Sequence, residues 1–215
     1  MLAPANTEPT TDDSSARPFV LACGALVREL RDVLDDGGLG DTVDVEYLPA
    51  PLHNRPERIV PAIDERLARL DPGRPVFVAY ADCGTGGLLD DYIERSDRDI
   101  TRLPGAHCYE FFTGADRFAR LHDDEPGTLY LTDFLAKHFD ALIWEGLGLD
   151  RHPELRDIYF SNYRRLVFLS QTDDPAVTAM AQTAAGRLGL EFRHEPTGLA
   201  SFAHQVRVAI RAGVD

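Results

Sequence analysis

The chain has 215 residues, 44% of them apolar and 27% charged, with a formal net charge of −14 at pH 7. That length and apolar share suit a soluble globular domain with a full hydrophobic core. The acidity argues against nucleic acid or an anionic membrane as the main partner, since each needs a basic footprint, and no stretch reaches the roughly 20 apolar residues of a membrane span.

Residues 1–17, MLAPANTEPTTDDSSAR, offer almost nothing to bury and are expected to form a disordered tail, leaving 18–215 as a single α/β domain. The tail has no charged start followed by an apolar core, so no export signal is expected and the chain is assigned to the cytoplasm. PFVLAC then reads as a strand buried on both faces. GALVRELRDVLDDGG follows as a helix, with Leu26, Val27, Leu30, Val33 and Leu34 at helical spacing.

The same cadence returns as VDVEYLPAP then PERIVPAIDERLARL, and as PVFVAYADCG then GLLDDYIERS. Residues 103 to 163 read as a more helical insertion, with TDFLAKHFDALIWEGLG its clearest amphipathic segment and Thr132 and Asp133 as its cap. RRLVFLSQ leads into DPAVTAMAQTAAGRLG, where Asp174 is the expected N-cap and Pro175 the first helical residue, and LEFRHEP closes the series. Strands alternating with helices predict a mainly parallel sheet covered on both faces, a Rossmann-like three-layer α/β fold.

In such a sheet, ligands gather at the carboxyl ends of the strands. Cys23 ends the first strand and Cys83 the third, each before a glycine; Cys108 starts a helix beside His107. An odd number of cysteines without an export signal predicts free thiols or metal ligands. The spacing contains no CxxC pair, which argues against a zinc ribbon, a thioredoxin-type dithiol or a ferredoxin. Three thiolates from three loops suit a [4Fe–4S] cluster with one open iron; zinc is the alternative, with His53, His107, Asp82 or water as its fourth ligand.

His53, in LPAPLHNRPE, is a candidate ligand or acid/base, and Asp82 and Glu110 are candidate acid/base groups. Each also has a structural reading: a turn for His53, a helix cap for Asp82, and for Glu110 a helix position that diverges from Cys108. Gln171, Thr172 and Asp173 follow a late strand, where they either hold a substrate or only form a turn. GTGG lacks both the dinucleotide and the P-loop patterns, and no GxSxG or HExxH occurs.

The segments ACGAL, PLHNRP, YADCGTGGLLD, LPGAHCYEFFTG, PGTLYLTDFLAKHFD, GLGLDRHPELRDIYFSNY and LSQTDDP, in that order, resemble the prokaryotic domain-of-unknown-function family 1638 over roughly residues 18 to 200. The resemblance maps the family's shared cysteine segments to Cys23, Cys83 and Cys108 and its histidine loop to His53. Ala81 stands where the family's pattern would have glycine. The resemblance also implies an association with corrinoid-dependent methyl transfer, in a one-carbon or methylamine context.

The expected function is therefore a metal-dependent lyase or transferase acting on a small molecule. A non-catalytic metal or corrinoid accessory protein for a methyltransferase and a thiol-redox switch are its rivals. A homodimer is a candidate assembly, because acidic α/β domains with exposed helices commonly pair.

Overall fold

The structure is a computed structural model and describes residues 17–212. Apart from Arg17, the polar tail expected over 1–17 lies outside the described residues.

β1 (Phe19–Cys23) is buried at every position, because it has a strand on each side and helices over both faces. α1 (Val27–Asp36) turns Leu30, Val33 and Leu34 toward it. β2 (Asp44–Leu48) is an edge strand and correspondingly only half-buried. A 3-10 turn, Ala50–Asn54, leads toward α2 (Ile59–Leu67), whose Ile59, Ile63 and Leu67 form one buried stripe. β3 (Val76–Ala79), α3 (Leu88–Glu94) and β4 (Ile100–Arg102) complete a parallel sheet of order β2-β1-β3-β4.

Two short helices, α4 (Cys108–Thr113) and α5 (Ala115–Asp124), carry the chain to a second sheet. It is built from β5 (Thr128–Thr132), α6 (Asp133–Lys137), a π-helical turn at Asp140–Trp144, α7 (Leu155–Tyr159), β6 (Arg165–Ser170), α8 (Pro175–Leu188) and β7 (Glu191–Pro196). Its three strands are parallel in the order β5-β6-β7. α9 (Ala200–Ala212) then returns to the first half and inserts Phe202, Val206 and Ile210 into its core, where the Phe111 and Phe202 rings stack at 5.1 Å.

The parallel α/β architecture expected from the sequence is present, with its strands divided between two sheets. The segment read as a helical insertion contains β5, which founds the second sheet. TLYLT alternates with a period of two, and its last residue doubles as the N-cap of α6, accepting from the Leu135 N–H. Asp174 caps α8 with Pro175 at its first position, as the sequence indicates. Among the described residues no helix is long and apolar enough to cross a membrane.

Candidate functional site

The three cysteines line one cavity, at the carboxyl ends of β1 and β3 and the start of α4. Thr132 and Leu135, from the end of β5 and from α6, close it from the second half of the molecule. The cavity measures about 20 Å³, close to the room one water molecule needs. Its walls are mainly apolar, with Leu26, Phe111 and Phe112 among them.

Cys23 is the last residue of β1, and the glycine after it has a steric reason. A Cβ on Gly24 would stand 2.7 Å from the Leu48 carbonyl oxygen and 2.9 Å from the Ala50 nitrogen. Glycine thus lets the exit of β1 press against the turn that carries His53. As a result Cys23 Sγ and His53 Nδ1 are 3.9 Å apart.

Cys83 is held in a left-handed backbone, φ 51°, and no other non-glycine residue among those described has a positive φ. For a residue with a Cβ this conformation costs about 1–2 kcal/mol. Asp82 builds the turn: its carboxylate accepts hydrogen bonds from the Thr85 hydroxyl at 2.5 Å and from the N–H groups of Gly86 at 3.0 Å and Gly87 at 2.8 Å. The Asp82 and Cys83 N–H groups in turn donate to the carbonyls of Gly105 and Ala106, which ties this loop to the entry of α4. Burial works against the Asp82 charge, but the hydrogen bonds outweigh it and hold the carboxyl below its usual range.

At the α4 entry, Glu110 Oε1 accepts from the N–H groups of Ala106 at 2.7 Å and His107 at 3.3 Å. Gly105, at φ 94°, leaves room for this carboxylate, because a Cβ there would lie 2.8 Å from Glu110 Oε2. Glu110 and Asp82 therefore organise the two loops that present Cys108 and Cys83, and neither lines the cysteine cavity. His53 does line it. His107 stands outside with Glu110, on the other side of the first turn of α4.

Burial raises the pKa of all three thiols. Cys83 is pushed up to about 12 by burial and then by the charge of Cys23; Cys108, buried beside Cys83 and Cys23, is well above the usual thiol range. Cys23 is raised by burial, opposed by the Ala25 backbone and by Tyr80. Burial, then His107, lowers His53, so its imidazole is neutral at pH 7. The sulfurs are thus protonated at neutral pH unless a cation replaces the protons.

Sequence reasoning overlooked Tyr80. It lines the cavity, is 1% exposed, and its buried hydroxyl lies beside the Cys23 thiol. Burial, and after it the neighbouring Cys23, raises its phenol pKa. The available signal was a tyrosine ending an apolar strand three residues before Cys83. Gln171 and Thr172, considered for substrate, are committed elsewhere: both donate to the buried Asp133 carboxylate, and Gln171 Oε1 accepts from the Asp133 N–H at 2.9 Å. Among the described residues, no three His, Cys, Asp or Glu side chains stand close enough to hold a single metal ion.

A family model described as "Protein of unknown function (DUF1638)" matches residues 47–206. That span contains His53, Cys83 and Cys108 and begins after Cys23. No curated protein and no solved structure matches the chain.

Proposed function

The chain belongs to the DUF1638 family, and, as that description carries no activity, we propose from the cysteine cavity itself that the protein holds a metal centre on Cys23, Cys83 and Cys108 and acts with it on a small molecule. The observation that carries this reading is that three sulfurs from three separate chain segments line one buried, mainly apolar cavity. Soft sulfur donors of this kind select thiophilic iron or zinc over hard cations. The Tyr80 hydroxyl, buried beside Cys23, adds a polar group to the same wall.

We favour a [4Fe–4S] cluster. Three thiolates without a fourth suit a cluster that keeps one iron open, but the three loops would have to part to admit it, because the cavity as it stands has room for about one water molecule. With three protein ligands the cluster supplies a Lewis-acidic iron open to substrate. The chain's own residues then bind and move protons. The Tyr80 hydroxyl would donate to the Cys23 sulfur and the neutral His53 would accept a proton at Nδ1, while Leu26, Phe111 and Phe112 would keep water out. A second reading, zinc with His53 as fourth ligand, is favoured by the 3.9 Å approach of His53 to Cys23 and by the small cavity.

Anaerobic purification followed by a visible spectrum and iron, sulfide and zinc analysis tests both. A brown protein with near-equal iron and sulfide supports the cluster. A colourless protein with one zinc supports the second reading. If the protein stays metal-free after reconstitution with either, or if Cys23→Ser, Cys83→Ser and Cys108→Ser all load fully, the metal centre is refuted.

A further inference from the structure

The chain passes between its two halves twice, and each passage holds a glycine at positive φ. The first half comprises β1–β4, α1–α4 and α9; the second comprises α5–α8 and β5–β7. Gly114 (φ 79°) separates α4 from α5, and Gly198 (φ 60°) lies between β7 and α9. The passages run side by side: a Cβ on Gly114 would stand 4.0 Å from Ser201 Oγ, and Arg117 in α5 donates to the Pro196 carbonyl at 3.3 Å. Adjacent crossings with glycine at each suit a hinge, because such positions absorb a change of φ and ψ with no Cβ in the way.

Little polar structure ties the halves together. Among the described residues, every ion pair joins side chains of the same half. Only two hydrogen bonds cross between the halves among those residues. In one, the Tyr109 hydroxyl donates to the Tyr130 carbonyl at 3.2 Å, about one helical turn from Gly114. In the other, Asn54 Nδ2 donates at 3.0 Å to the Leu142 carbonyl, in the π-helical turn, which is remote in sequence from both passages. A Cβ on Gly146 would lie 3.0 Å from that amide nitrogen, so glycine leaves room for this latch.

The latch stands between the cysteine cavity and solvent. His53 lines the cavity, whereas its neighbours Leu52 and Asn54 line, with Gly146, an open recess of about 590 Å³. The cavity, walled by residues of both halves, measures about 20 Å³, so nothing much larger than water enters unless its walls part. We infer that the two halves swing apart about Gly114 and Gly198, breaking the Asn54–Leu142 bond and opening the cysteine cavity into the recess. The Tyr109 contact, close to the pivot, persists in the open state. The inference concerns access to the thiols and holds whatever occupies the cavity.

Alkylation of the folded, full-length, metal-free protein by iodoacetamide tests this motion. A swing of the halves exposes all three thiols, so label should appear on Cys23, Cys83 and Cys108, at a rate less dependent on urea than global unfolding is. Asn54→Ala should speed labelling about twofold to tenfold, and Tyr109→Phe should leave it unchanged. Arg74→Ala provides the reference for global stability, since it removes bonds to Asp44 and to the Arg17 carbonyl within the first half. It should lower the urea midpoint without speeding labelling in the absence of urea. Label confined to Cys23 would mean that only the His53 turn moves. That result, labelling that merely follows global unfolding, or an unchanged rate in Asn54→Ala would overturn the inference.

Discussion

Cys23 and His53 are 30 residues apart in the chain, yet the Cys23 sulfur lies 3.9 Å from His53 Nδ1. The contact exists because β1 and β2 pair in parallel, Cys23 opposite Leu48, and because glycine at position 24 lets the two strand exits close up. It makes His53 the residue that separates the two metal readings. With a three-thiolate cluster, His53→Ala leaves iron and sulfide content unchanged and lowers activity. With zinc, the same variant lowers metal affinity by an order of magnitude or more. Metal analysis of this one variant beside the wild type distinguishes them, and the Cys23→Ser variant, expected to lose metal under either reading, provides the reference.

The thiols also predict how stability depends on pH in the metal-free protein. A cysteine whose pKa is raised by folding is held neutral, so its favourable contribution is present below the unfolded thiol pKa, about 8.5, and is lost as pH rises toward the folded value. For Cys83 that folded value is about 12, and Cys23 and Cys108 shift in the same direction. Urea midpoints should accordingly fall as pH rises from about 8 to about 10, a window that opens near the unfolded thiol pKa and lies below the folded value of Cys83. Cys83→Ala should make the slope shallower. A midpoint that rises over the same window would contradict the burial of these thiols. Metal reverses the trend, because loading requires thiolate: affinity should rise with pH and binding should release protons.

The strained backbone at Cys83 has a separate signature. If the left-handed conformation is imposed by the Asp82 turn, glycine should tolerate the position better than alanine. Cys83→Gly should therefore be more stable than Cys83→Ala by about 1 kcal/mol in denaturant unfolding, although neither holds metal. Equal stability of the two variants would mean that the turn relaxes and the strain belongs to the cysteine side chain. Asp82→Ala removes three hydrogen bonds and should cost about 1–3 kcal/mol, with loss of metal loading as a secondary effect of the loosened loop.

Much of this site is legible in the amino-acid sequence. Cys23 and Cys83 follow apolar runs that read as buried strands, and the first glycine after each marks a tight exit. The parallel sheet places those exits together, so two of the three cavity cysteines follow from pattern alone. Cys108 is harder to place, since it reaches the cavity through the loop Leu103–His107, whose path is set by the Asp82 and Cys83 N–H groups and by Glu110. Those are hydrogen bonds between segments distant in sequence and leave no periodic trace. Tyr80 is hidden for the opposite reason: it prolongs an apolar run and resembles core until its hydroxyl is seen beside Cys23. The second sheet is obscured because TLYLT is short and runs without a break into a helix that shares its last residue as a cap.

That second sheet rests on a buried polar clamp that provides the last test. Asp133, 1% exposed, accepts from the Gln171 and Thr172 N–H groups and the Thr172 hydroxyl, while its own N–H donates to Gln171 Oε1. The clamp joins the carboxyl ends of β5 and β6 to each other. It thereby fixes Thr132 and Leu135, which close the cysteine cavity from this side. Removing the carboxylate leaves two buried N–H groups and a hydroxyl without an acceptor, so Asp133→Ala should destabilise the protein by about 2–4 kcal/mol. Asp133→Asn, which keeps one acceptor oxygen, should lose less. Because the clamp acts on the cavity only through Thr132 and Leu135, Asp133→Asn should retain metal loading while admitting solvent, visible as faster bleaching of a cluster by oxygen or faster loss of zinc to a chelator. An unchanged rate would detach the second sheet from the site.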